Sequence, residues 1–222
     1  MKANFFRPAV AVFEALFLPF LATRLAKLHL VGPSTPLDES LPVVFVSNHM
    51  SWWDGFLLRA LHRKLRPRAG FFTIMLEREL RKHPYFRLLG CVGIEPGKPG
   101  SLDRAIDAVA SRRGTDPGFC LSFFPQGRIW PATRRPLGFR TGIVRVLERL
   151  APVQVVPVAL RIEPLNTMSP HAFVLAGDPM RIEPGRAVPT TRELESLVQA
   201  TMDDLAGRLE RLGESAAKGV AS

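Results

Sequence analysis

The sequence predicts an α/β fold: a central, mostly parallel mixed sheet flanked by helices. Three observations predict it. Short apolar runs alternate along the chain with segments of helical periodicity, the order expected of strand–helix units around a parallel sheet. The chain has 222 residues, 46% of them hydrophobic, enough for one domain with a sizeable core. Two polar clusters, Ser47-Asn48-His49 and Phe124-Pro125-Gln126-Gly127-Arg128, each follow directly on an apolar run. In open α/β sheets sites form at the carboxyl ends of the strands.

The elements read as follows. Ala9–Ala22 is apolar except for Glu14, is interrupted by Pro19, and is followed by Arg24 and Lys27. It is shorter than the ~20 residues of a spanning helix, and its charge and lack of a cleavage site argue against a signal peptide. Phe5, Phe6, Val12, Phe13, Leu16, Phe17 and Phe20 set against Lys2, Arg7, Arg24 and Lys27 read as an interfacial segment; a helix packed on the protein's own core is the alternative. The division is a membrane-associating amphipathic helical segment at 1–31, a main domain at 32–213 and a flexible tail at 214–222. Gly32–Pro42 is a loop between the first two.

In the main domain Val43–Ser47 reads as a strand and Asp54–Lys64 as a helix with Phe56, Leu57, Ala60 and Leu61 on one face. Phe71–Ile74 is a strand, and Met75–Leu89 a helical stretch broken by Pro84. Val92–Glu95 is a third strand. Ser101 is placed to cap a helix carrying Leu102, Ala105, Ile106, Val109 and Ala110, stopped at Gly114. Phe119–Phe124 is a strand, Gly142–Leu150 a helix, and Val153–Leu160 and Ala172–Ala176 two more strands. Thr190-x-x-Glu193 is a capping box opening a final helix through Leu212, with Gly213 behind it.

Thirty Lys and Arg against 20 Asp and Glu give a formal net charge of +10. Such a surface attracts anionic lipid, nucleic acid or phosphate-bearing cofactors. The basic residues are spread along the chain with no aromatic-interleaved recognition element, which argues against nucleic acid. Cys91 and Cys120 lie singly in apolar runs, a pattern of buried reduced thiols and not of a metal site.

The run Ser47-Asn48-His49-Met50-Ser51-Trp52-Trp53-Asp54 carries the chemistry. It places an imidazole and a carboxylate five positions apart at a strand end, where the carboxylate can orient the histidine and stabilise its protonated form. The chain lacks a Gly-x-Ser-x-Gly elbow, which argues against a serine hydrolase.

Asn48-His49-x4-Asp54, Gly90-x3-Ile94-Glu95, Phe124-Pro125-Gln126-Gly127 and Val156-Pro157-Val158 occur in that order. The series resembles the four motifs of the glycerolipid acyltransferases, which include glycerol-3-phosphate and lysophosphatidic acid acyltransferases, and it covers roughly residues 40 to 165. The resemblance implies an O-acyltransferase moving a fatty acyl group from acyl-CoA or acyl carrier protein to a hydroxyl of a lyso-lipid or related acceptor. His49 would be the general base and Asp54 its orienting carboxylate, with no covalent acyl-enzyme; Ser47, Ser51 and Ser122 would be hydrogen-bonding or core residues. Backbone N–H groups near the first motif are the expected donors to the tetrahedral intermediate. Asn48, Lys98, Pro125, Gln126, Gly127, Arg128 and Arg140 are the substrate-binding candidates, and Trp52 and Trp53 the acyl-channel or interface candidates. Neither a metal nor a tightly bound cofactor is implied. The partners are a lipid acceptor, the acyl donor and an anionic membrane surface, with the protein on the cytoplasmic face of the membrane, peripheral or monotopic.

The chain departs from the family pattern in two motifs. Gln126 stands where the family has Glu, and Pro96 and Ile129 stand where it has arginines tied to the acceptor's phosphate. The departures allow an uncharged lipid or glycolipid acceptor, or a catalytically weak membrane-binding member. The alternative is a phosphate contact from a shifted position, through Lys98, Arg104, Arg128 or Arg140. The stretch Arg134–Arg140 reads as a mobile basic loop over the site.

Overall fold

The computed structural model describes residues 6–220, except for the side chains of Phe17, Leu18, Ala22 and residues 213–220. The regular elements are α1 (Arg7–Arg24), β1 (Lys27–Val31), β2 (Val43–Ser47), α2 (Asp54–Leu65), β3 (Phe71–Leu76), α3 (Glu77–Lys82), β4 (Cys91–Ile94), α4 (Ser101–Ala110), β5 (Cys120–Phe123), α5 (Gly142–Leu150), β6 (Val153–Glu163), β7 (His171–Ala176), β8 (Met180–Ile182) and α6 (Thr191–Val220), with 3₁₀ turns at Pro84–Leu88 and Ser111–Gly114.

The strands form one mixed sheet in the order β1-β7-β6-β2-β5-β3-β4, and β8 pairs with β6. Pairings from β6 across β2, β5 and β3 to β4 are parallel, β7 runs antiparallel to β6, and β1 runs parallel to β7. The sheet is the predicted mostly parallel one, with helices on both faces.

β2 shows why its sequence sits in the middle. All five residues are buried, so it reads as a continuous apolar run instead of an alternating one. Val43 and Phe45 face one side, into a cluster with Leu57, Leu58 and Leu61 of α2 and Leu21 of α1. Val44 and Val46 face the other, into a cluster fed by α4, α5 and α6 through Ile106, Val109, Ile143, Leu147, Leu194 and Val198. A third, smaller cluster joins Val10 of α1 to Leu80, Phe86 and Leu89. α1 therefore packs on the domain through one side. Val12, Leu16 and Phe20, four residues apart and so on one helical face, remain exposed. Lys2 and Phe5 of the expected interfacial set lie outside the described residues, as does the Phe17 side chain. No helix among the described residues is long and apolar enough to cross a membrane.

Several elements differ from expectation for local reasons. Lys27–Val31, assigned to the helical N-terminal segment, is a sheet-edge strand, with Leu28 and Leu30 turned to the core. The three-residue β8 is too short to show a period. Phe71 begins a strand that continues to Leu76, and the helical stretch after it divides into α3 and a 3₁₀ turn at Pro84. Gly100, in the left-handed region at φ 67°, caps α4; the Ser101 hydroxyl instead accepts the Glu95 N–H. The Thr190–Glu193 capping box forms as expected. α6 passes Gly213 and continues to Val220. A glycine costs a helix only about 1 kcal/mol, and Ala216, Ala217 and Lys218 favour continuation. Residues 221–222 of the expected tail lie outside the described residues.

Burial pushes the Cys91 and Cys120 thiols up to about 12, so both stay protonated. His62 of α2 is also buried. Its Nε2 donates to the Ala69 carbonyl at 2.9 Å, and its Nδ1 is buried without a partner. Burial first, and the Arg59 charge second, lower its pKa from 6.5 to about 4. The folded value lies below the unfolded one, so the contribution is complete above pH 6.5 and is lost as pH falls toward 4. The loss is about 3 kcal/mol by pH 4. Chemical denaturation between pH 7 and 4.5 should show this loss in the parent protein. His62→Gln keeps a donor for Ala69 and should flatten the profile; equal pH slopes for both proteins would contradict the assignment.

Candidate active site

The site is built where β2 and β5 end side by side. Beyond Ser47 the chain turns sharply into α2, and the turn is organised by one carboxylate. Asp54 is the first residue of α2 and is 0% exposed. Its Oδ2 accepts His49 Nδ1–H at 2.7 Å, the Met50 N–H at 2.6 Å and the Ser51 N–H at 3.0 Å. Its Oδ1 accepts the Ser51 hydroxyl at 2.5 Å. Ser51 Oγ in turn accepts the Trp53 N–H, closing a side-chain-stabilised turn. A buried carboxylate is stable only when its lone pairs are satisfied, and here the N-terminal end of α2 adds a favourable dipole.

Because a carboxylate can only accept, the bond places a proton on His49 Nδ1, and in the neutral ring Nε2 is then the nitrogen with the lone pair. Among the described residues Nε2 takes no hydrogen-bond partner, and the ring is 23% exposed. The imidazole stacks on Phe124, with centroids 4.4 Å apart. The result is an oriented imidazole open on one side.

Asn48 and Gln126 hold the neighbouring strands to this turn. Asn48 is buried, donating to Leu160 O at 3.0 Å and accepting Leu160 N–H at 2.8 Å. It extends the β2–β6 ladder with its side chain. Gln126, also buried, accepts the His49 N–H at 2.7 Å and donates to the Leu137 carbonyl at 3.0 Å. The amide does what a carboxylate cannot, since the second bond needs a donor. Pro125 contributes its carbonyl to the Arg140 N–H, and Gly127 adopts φ 65°.

The positive charge of the site comes from residues beyond the sequence motif. Trp130 donates its backbone N–H to the His49 carbonyl at 2.8 Å. Its ring lies between two guanidiniums, Arg128 at 3.9 Å and Arg134 at 3.7 Å from the centroid. The Arg140 guanidinium covers Gly127, 3.3 Å from where a Cβ would stand. Among the described residues none of these three arginines has a carboxylate within salt-bridge distance, whereas Arg135, Arg145 and Arg149 nearby all do. Trp130 lies outside the candidates that the sequence offers; no periodicity marks it, and only its hydrogen bond to the His49 carbonyl does.

Other candidates are placed differently. Lys98 is bound to Glu95 at 2.6 Å, so its charge is already met. Trp52 is half exposed, and Trp53 packs toward the core beside Phe20. The Ser47 hydroxyl bonds the Asn48 carbonyl and Ser122 bonds Thr73, so these serines are structural, as expected. The backbone N–H groups of His49, Met50 and Ser51 are already committed, so the expected oxyanion donors are not those. The basic loop 134–140 is tied down. Leu137 is buried, and Glu195 of α6 accepts the N–H groups of Gly138 and Phe139.

A family model described as Acyltransferase matches residues 31–161, more than half of the chain and all four motifs. The chain belongs to the acyltransferase family. No curated protein matches it. As a member of the glycerolipid acyltransferases it is an enzyme of general acyl transfer to lipid, and His49, Asp54 and Gln126 all lie within the matched segment.

Gln126→Glu tests the role of the amide in this acyltransferase. One carboxylate oxygen can still accept from His49, but the other faces the Leu137 carbonyl. The variant should lose about 1–3 kcal/mol at pH 7. The deficit should shrink on acidification, because a protonated carboxyl donates again. Equal stability of parent and variant at pH 7 would show that the Leu137 bond matters little.

Proposed function

We propose that this protein is an O-acyltransferase that esterifies a hydroxyl of a lyso-lipid or related acceptor, with acyl-CoA or acyl carrier protein as donor and no bound cofactor. The observation that carries the reading is the buried Asp54 carboxylate, which holds His49 with Nε2 open. In this reading Nε2 removes the acceptor's hydroxyl proton. The oxygen attacks the thioester carbonyl, and the tetrahedral intermediate collapses to the ester and a thiolate. The imidazolium then returns the proton to that thiolate, and Asp54 stabilises it in between. No enzyme nucleophile is required.

The acceptor class follows from charge. Arg128 and Arg134 stack on the Trp130 that bonds His49, Arg140 lies over Gly127, and among the described residues none of the three has a carboxylate partner, which favours a phosphate-bearing headgroup. They also supply donors for the tetrahedral oxyanion in place of the committed backbone groups. A second reading, an uncharged lipid acceptor, is favoured by Pro96 and Ile129 at the family's arginine positions and by the pairing of Lys98 with Glu95. The apolar N-terminus and the net positive charge support work at the cytoplasmic face of an anionic membrane.

The deciding experiment is acyl transfer from palmitoyl-CoA by detergent-purified protein to lysophosphatidate, glycerol 3-phosphate, neutral lyso-lipids and glycolipids, with carrier-protein donors in parallel. His49→Ala should lower the rate at least ~100-fold, and Asp54→Asn by roughly 10²–10⁴-fold. Thiol release indifferent to His49→Ala would refute the mechanism. Arg134→Ala should raise KM about tenfold or more for phosphate-bearing acceptors and leave it unchanged for neutral ones. Preferred use of a neutral acceptor by the parent protein would select the second reading.

A further inference from the structure

Most of the exposed large apolar side chains among the described residues gather in three segments, while Val31, Ile129, Leu165, Met168 and Leu212 lie elsewhere. Phe6, Val12, Leu16 and Phe20 of the α1 region, Trp52 of the active-site turn, and Tyr85 and Leu88 of the Pro84–Leu88 turn are all exposed. The three segments touch. The Phe6 N–H donates to the Leu88 carbonyl at 3.0 Å. Rings then run on without a gap: Tyr85 to Phe86 at 4.6 Å, Phe86 to Trp52 at 6.4 Å, Trp52 to Trp53 at 5.5 Å, and Trp53 to Phe20 at 6.1 Å.

Two further facts fix the character of this face. α1 is pinned to the domain. Glu14, the one acid of the helix, is turned inward onto Arg59 at 2.9 Å and Arg63 at 2.8 Å, and Phe13 stacks on Phe56 at 5.9 Å. The outward side of α1 consequently carries no negative charge. Its ends are basic: Arg7 reaches the Arg68 carbonyl, and the Arg24 guanidinium lies over the Phe20 ring at 5.2 Å. Arg87 in the 84–88 turn is paired with Glu77 at 2.6 Å, so the basic rim is made by Arg7 and Arg24. An apolar plateau bearing Trp and Tyr, rimmed by arginines with long aliphatic stems, matches the headgroup boundary of an anionic bilayer.

We propose that the Pro84–Leu88 turn and Trp52 form a second docking lip, which acts together with α1 as one rigid face set on an anionic lipid surface. The inference rests on the reading of His49 as acting on a lipid acceptor. It goes further in placing the membrane against the mouth of the site, with His49 only three residues from Trp52. α1 is then not a tether that leaves the domain; it is one wall of the docking face.

The test is flotation of the full-length protein with vesicles of phosphatidylcholine alone or with added phosphatidylglycerol. The parent should bind the anionic vesicles more strongly, and high salt should weaken that binding. Leu88→Asp and Tyr85→Ser, both at exposed positions, should each lower vesicle partitioning about tenfold or more, with unchanged circular dichroism. Transfer to a short-chain acceptor in free solution should be unaffected by either. Binding unchanged in both variants would overturn the second lip, as would binding to neither vesicle type. A parent that self-associates without vesicles and becomes monomeric with Leu88→Asp would instead make this face a contact between copies. Vesicle binding by a protein inactive on every acceptor would leave the docking face standing and remove the functional reading.

Discussion

The Asp54 carboxylate is the constraint on which the site depends. A fully buried negative charge is costly to fold around unless nearly every lone pair is met. Here the donors all come from the five residues before it: the ring of His49, the backbone of Met50, and the backbone and hydroxyl of Ser51. Satisfying the charge therefore closes the turn, sets the histidine tautomer and starts α2 in one step.

The turn is positioned in the sheet by two amides. Asn48 fastens it to the backbone of β6, and Gln126 fastens it to the loop after β5. β5, β2 and β6 are adjacent parallel strands, so their carboxyl ends lie in one row, and the amides bridge between neighbours. The Gln126 amide also reaches across to Leu137, carrying the order of the turn into the basic loop. Glu195 and the burial of Leu137 hold that loop from the other side. The guanidiniums of Arg128, Arg134 and Arg140 are thus carried by a supported segment, and the energy of their mutual repulsion is available to a bound anion.

α1 links this polar site to an apolar surface. It shields the α2 side of the sheet through Val10 and Leu21, and Glu14 neutralises two arginines of α2. The same helix presents Val12, Leu16 and Phe20 outward. The helix thus packs one side on the domain and leaves an apolar side exposed.

The sequence by itself determined the strand–helix alternation, the buried character of Val43–Ser47, the capping box at Thr190 and the pairing of His49 with Asp54. Each is a local signal carried by neighbouring residues or by a short period. Helix ends and edge strands were less legible: Lys27–Val31 declares itself only once β7 lies beside it, and Gly213 does not stop α6. Tertiary structure alone decided the roles of Asn48 and Gln126, whose bonding partners Leu160 and Leu137 are remote in sequence. It alone brought Trp130 between Arg128 and Arg134, and it alone joined α1, Trp52 and the 84–88 turn into one face. The physical reason is common to these cases. A hydrogen-bonded amide, a stacked guanidinium or an exposed ring gains its function from a neighbour that the chain delivers only by folding, and no spacing along the sequence encodes that neighbour.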